Sequence, residues 1–262
     1  MQALPKRFWF PPFLRWAHLF WIVFPCLLLG GSGSPTGLGV ETGAAVVEPD
    51  VIGDPEMEAL LLPYRKKMEA YILEPVGEVS IALTRGKPET VLGNVLADGI
   101  RWATEARLRE KMDLCVMNRL GIRADLPRGQ ITRGEILEII PFENYLVVLN
   151  LTADQVFKLA EQMVESGGEP VSGMEIFYRP DGEVTGVRVG GNTLDPNRVY
   201  RVLTIDYLAF GQGNMTALHE GEVVRETGLH YREMFFEYLE ALAEQNRNLP
   251  TRLEPRYNPL PQ

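Results

Sequence analysis

The sequence predicts an α+β fold, and three observations carry the prediction. Apolar residues recur at three- and four-residue steps in some stretches and run on or alternate in others, so helices and strands interleave. From residue 174 onward tight turns join consecutive strands, which argues against a doubly wound parallel sheet. Hydrophobic residues make up 45% of the 262, enough for a packed core. The expected organisation is a leader at 1–34, a flexible linker at 35–54, one domain with a mixed sheet and packed helices over 55–248, and a tail at 249–262.

The leader is read from Lys6, Arg7 and Arg15, the apolar run Trp16 to Gly31, and the small residues ending in Pro35. A cleaved signal, a lipid-anchored leader through Cys26 and an uncleaved anchor all remain open. Pro25 before Cys26 and three leucines after it make a poor lipid-attachment context. Export to the periplasm or cell surface is expected, with any membrane attachment through the leader. The net charge of -9, with three cations in the leader, excludes the broad basic face of a nucleic-acid binder. Cys26 and Cys115 are the two cysteines, so no disulfide framework is expected, and Cys115 reads as a small buried hydrophobe.

The elements follow in order. The Gly, Ser, Thr and Pro run from Gly31 to Asp54 is the linker. Met57, Leu60, Leu61, Tyr64, Met68 and Tyr71 mark a helix over 56–72, followed by a strand through Val79, Ile81 and Leu83. A helix over 89–111 presents Leu92, Val95, Leu96, Ile100, Ala103 and Leu108 on one face, with Arg101, Glu105 and Arg109 as a solvated charged face. Asp113 to Met117 and Tyr145 to Leu151 read as buried strands. Thr152 and Gln155 form a capping box opening a helix that runs past Met163 and stops near Gly167-Gly168. Strands follow at 174–178, 184–189 and 199–205, separated by turns at Pro180-Asp181-Gly182 and Gly190-Gly191-Asn192, and a last amphipathic helix spans 231–245.

Arg119, Arg123, Arg128 and Arg133 crowd one stretch of an acidic chain, opposed there by Asp125. Such a field suits a phosphate or carboxylate, which guanidinium groups hold bidentately. Spacing alone describes solvated loop arginines equally well.

Six motifs in order, Gly93-Asn94 through Asp98, Asn118 through Arg123, Gly129 through Thr132, Pro141 through Asn144, Ser172-Gly173 and Asp206 through Ala209, resemble the 5'-nucleotidase C-terminal domain family over about 76–218. The resemblance implies a nucleoside site in which Phe142 and Tyr207 clamp the base, Asn118 and Asn144 make polar contacts, and Arg123 faces the ribose-phosphate end. Arg119 and Asn214 are secondary candidates. Gly93, Asn94, Asp98, Thr132 and Ser172 are read as structural. Three departures matter: Gly213 stands where the family has an Asp for the ribose hydroxyls, Arg119 and Leu120 replace glycines, and Arg85 is one position out of register.

Hydrolysis in the complete enzymes that the resemblance points to needs a two-metal site rich in His and Asp. Outside the leader this chain has His219 and His230, neither in metal-ligand spacing and both expected at the surface or at a helix start. The expectation is therefore a binding domain with no metal or cofactor of its own, a nucleotide or nucleoside ligand, and divalent metals on a separately encoded metallophosphatase. The alternatives are a stand-alone nucleoside-binding protein and a degenerate interaction module.

Overall fold

In the computed structural model, which describes residues 54–261, the first element forms where the sequence supplies a cap. Asp54 accepts a hydrogen bond from the Glu56 N–H at 2.9 Å and Pro55 opens the helix, giving α1 (Pro55–Ile72). The helical period is as read from the sequence. Its apolar residues, however, are exposed: Met57, Leu60, Tyr64 and Met68 face outward, and none of the helix is buried. The expected leader and most of the linker lie outside the described residues.

Strand β1 (Pro75–Val79) pairs antiparallel with β3 (Gly129–Thr132). The strand expected to continue through Ile81 stops at Val79, because Val79 pairs with Gly129, the end of its partner. Ile81 is exposed, and Leu83 returns to make an isolated bridge with Leu126. Helix α2 (Val91–Leu108), capped by Thr90, buries Leu92, Val95, Leu96, Ile100 and Ala103 and packs against α7 (Tyr231–Glu244). Gly99 is required at that crossing, since any Cβ there would overlap the Tyr238 ring.

The charged face expected on α2 is not solvated. Arg101 donates to Glu105 at 3.2 Å, to the Met112 carbonyl at 2.5 Å and to Ser172 Oγ at 3.4 Å, while Glu105 also accepts from the Met112 N–H and Lys111. The pair is half-buried because each member is satisfied, and it fastens the turn into the next strand. Arg109 alone stays exposed, in a left-handed conformation that ends the helix.

A five-stranded mixed sheet forms the centre, in the order β10-β4-β9-β2-β5. Its members are β2 (Leu114–Val116), β4 (Tyr145–Thr152), β5 (Val171–Ser172), β9 (Val199–Ile205) and β10 (Glu222–His230). β2 and β9 run parallel; β4 is antiparallel to β9. β2, β4 and β9 are largely buried, and Cys115 in β2 is a free buried thiol that burial pushes far above the ordinary thiol range. The capping box at Thr152 and Gln155 is present and starts α4 (Ala153–Glu165). Gly167 and Gly168 close that helix, their N–H groups reaching Val164 and Met163.

The second sheet, β11-β6-β7-β8, comprises β6 (Met174–Tyr178), β7 (Val184–Val189), β8 (Asn192–Thr193) and β11 (Tyr257–Pro259). Here the expected tail at 249–262 is corrected. Leu249, Arg256 and Tyr257 are buried, and β11 lies parallel to β6. The Arg256 N–H donates to Glu89 at 3.0 Å, and its guanidinium pairs with Asp98 at 2.5 Å and reaches the Val171 carbonyl. The partners that hold this segment sit far back in the sequence. Asp98 therefore has the structural role expected of it, as does Thr132, which caps α3 (Arg133–Ile139). The fold is α+β.

Candidate functional site

Because β2 and β9 are parallel and β4 runs against them, the chain leaves β2, leaves β9 and enters β4 at one edge of the sheet. Three segments meet there: Asn118 to Arg123 after β2, Pro141 to Asn144 before β4, and α5 (Asp206–Ala209) after β9. They enclose a cleft of about 540 Å³. Its apolar floor is made by Leu96 and Ile100 of α2, Met117, Ile140 and Ile205. Asn118, Arg123, Phe142, Asn144 and Tyr207 all line it.

Local bonds set each side chain. Asn118 caps a 3-10 turn at Arg119–Gly121, its Oδ1 accepting from the Leu120 N–H at 2.9 Å, so its amide nitrogen is the group left for a ligand. The Arg123 guanidinium sits 5.8 Å from the centre of the Phe142 ring, a cation–π placement. Asn144 donates to Asp206 at 2.7 Å, and Asp206 also accepts the Tyr207 N–H at 2.7 Å. A carboxylate can only accept, so Asn144 must present its nitrogen to Asp206 and its oxygen elsewhere. Phe142 is 45% exposed and Tyr207 41%, which separates both from core aromatics such as Phe235 and Phe236.

Two lining residues were not singled out from sequence. Glu143 lies between Phe142 and Asn144; the hydrogen bond from Arg232, at 2.6 Å, and its positive charge hold its carboxyl below the usual range. Tyr231 is buried at the start of α7, and burial pushes its hydroxyl up to about 12, so it stays neutral. A glutamate amid motif residues and an aromatic opening a helix carry no signal that periodicity can separate from packing.

The secondary candidates fall elsewhere. Arg119 is turned away from the cleft: its N–H donates to Glu169 at 2.5 Å and its guanidinium to the carbonyls of Gly168 at 2.9 Å and Ser166 at 3.4 Å. Three acceptors at the end of α4 compete for it and win. Asn214 is exposed on the loop after α5 and is not among the lining residues. The arginine-rich stretch disperses likewise. Arg133 pairs with Glu74 at 2.5 Å and lies over Phe236, leaving Arg123 as the one of the four that lines the cleft. Arg85 donates to Asp125 and to the Arg123 carbonyl, and with Lys87, Arg119 and Arg123 it lines an adjoining basic concavity of about 430 Å³.

Gly213 sits at φ +94° beside Tyr207, a backbone region that disfavours any side chain. The missing carboxylate is thus matched by a loop shaped around glycine. His219 ends α6 (Thr216–His219), and His230 precedes α7 with its ring 4.2 Å from that of Tyr145. Among the described residues no group of three or more His, Cys, Asp or Glu side chains is placed to hold a metal ion.

The family model described as 5'-nucleotidase, C-terminal domain matches residues 75–220. The chain belongs to this family. Curated relatives of this C-terminal domain include the trifunctional nucleotide phosphoesterase protein YfkN of Bacillus subtilis, 29% identical over 72% of this chain and 14% of that protein. Protein UshA of Escherichia coli is 26% identical over 73% of this chain and 36% of that protein. The chain therefore spans 14% of the length of the first relative and little more than a third of the second. Among solved structures, the 5'-nucleotidase precursor of Thermus thermophilus is 29% identical with a TM-score of 0.66, covering 78% of this chain and 43% of that one. The NAD nucleotidase of Haemophilus influenzae, 19% identical at a TM-score of 0.60, shares the fold.

Proposed function

We propose that this 5'-nucleotidase C-terminal domain is the nucleoside-binding part of a 5'-nucleotidase-type hydrolase, exported from the cytoplasm and acting with a separately encoded metallophosphatase that carries the divalent metals. The observation that carries the reading is the convergence of Asn118, Arg123, Phe142, Asn144 and Tyr207 on one cleft. That set offers stacking faces, amide donors and acceptors, and one cation. These groups bind and orient a nucleoside; they do not activate water.

In this reading Phe142 and Tyr207 hold the base, Asn118 and Asn144 address its edge or the ribose, and Arg123 faces the phosphate. The adjoining concavity with Arg85 and Lys87 extends the positive field on that side. Affinity is modest because Gly213 supplies no carboxylate to the ribose; a Kd between about micromolar and millimolar corresponds to roughly 4–8 kcal/mol. The decisive experiment has two arms. Calorimetry should detect adenosine and AMP binding to the purified chain. AMP turnover should be absent from the chain alone and appear on mixing with the candidate metallophosphatase. A folded chain that binds neither ligand and adds nothing to the mixture would leave an interaction module.

A further inference from the structure

Glu143 is the one carboxylate lining the cleft, and it is held from behind. One oxygen accepts from Arg232 at 2.6 Å, and the other lies 3.6 Å from Nδ1 of His230. Arg232 is itself largely buried and also donates to the Ile140 carbonyl at 3.3 Å. The carboxylate is therefore a positioned anion and a pure acceptor. Beside it, Asn144 has given its nitrogen to Asp206 and keeps an oxygen for the ligand. Across the sequence motif, Asn118 and Arg123 supply donors. The cleft is thus divided: acceptors on the segment before β4, donors on the segment after β2.

Nucleobases answer such a division differently. Guanine presents two adjacent donors, N1–H and the exocyclic amine, which match the two lone-pair directions of a carboxylate. Hypoxanthine offers the N1–H without the amine. Adenine offers its amine next to the N1 lone pair, which a carboxylate repels. We propose that Glu143 makes this cleft selective for guanine nucleosides by accepting both donors of that edge. The assignment rests on the nucleoside reading above and adds the identity of the base.

The test is a calorimetric series on the purified chain with guanosine, inosine, adenosine and cytidine. Wild type should bind guanosine about ten-fold more tightly than inosine or adenosine, the discrimination expected of a lost or mismatched hydrogen-bonding pair. Glu143→Gln should reverse the order and favour adenosine, because an amide pairs one acceptor and one donor with adenine. A merely structural role for Glu143 would weaken every nucleoside alike and reverse nothing. Equal affinity of the wild type for guanosine and adenosine, or a guanosine preference that survives Glu143→Gln, overturns the assignment while the nucleoside reading stands. Failure of the folded wild type to bind any of the four overturns the nucleoside reading itself. Where the variant is unstable, equal wild-type affinities for guanosine and adenosine still overturn the assignment.

Discussion

Tyr207 is the second residue of α5, its N–H fixed on the Asp206 carboxylate and its exposed ring lying beside Gly213, so the ring adds little to the core. Removing it should cost binding without costing the fold. Stacking contributes about 1–3 kcal/mol per base, so Tyr207→Ala is expected to weaken adenosine by roughly 5- to 150-fold in calorimetry with little change in melting temperature. Arg123→Ala should instead separate ligands, weakening AMP several-fold more than adenosine, since its charge answers the phosphate. Equal losses for the two ligands would remove Arg123 from the phosphate end. Asn118, Arg123, Phe142, Asn144 and Tyr207 were legible as lining residues because each belongs to a motif that stands next to a strand end. Arg119 was not, because its partners Glu169, Gly168 and Ser166 come from a turn nearly fifty residues away, and nothing local reports that competition.

At the scale of elements, the sequence announced those whose cause is local. The capping box at Thr152 and the diglycine stop at Gly167-Gly168 are local, and both ends of α4 fall where they say. β10 was not read, since it is an edge strand, exposed along most of its length, charged, and bulged twice against β4. The α1 pattern was read correctly as helical, and yet periodicity says which residues share a face, not whether anything covers it. Glycine at 168 is tested most sharply. It has φ +98°, and a Cβ would run into the Pro88 carbonyl, so Gly168→Ala should lose at least about 2 kcal/mol in denaturant unfolding. A loss below half of that would mean the 88–90 segment can yield.

At the scale of the whole molecule, Glu169 is, among the described residues, the buried carboxylate whose charge works against folding. Burial raises the Glu169 carboxyl above the usual range, although the Arg119 N–H and charge and the Ser166 hydroxyl oppose the shift. The sign follows from which state binds more protons. Below the ordinary carboxylate value both states are protonated and the residue is neutral to stability. As pH rises, the unfolded chain ionises first, and native stability falls until the folded carboxyl ionises too. Glu169→Gln removes that fall, so the melting-temperature difference between variant and wild type should shift in favour of the variant from about pH 4 to pH 7. A difference independent of pH would mean the carboxyl titrates normally.

The clasp made by Arg256 has a further meaning in time. Its N–H reaches Glu89 across 167 residues, and its guanidinium reaches Asp98 across 158. Contacts of such separation form late, because the loop they close must lose its freedom before any of them repays it. A ribosome delivers Glu89 long before β11, so throughout its synthesis the polypeptide has the start of α2 without the strand that secures it. Until β11 is made the clasp stays open, and Glu89 and Asp98 wait at the start of α2 without the arginine that joins them in the finished fold.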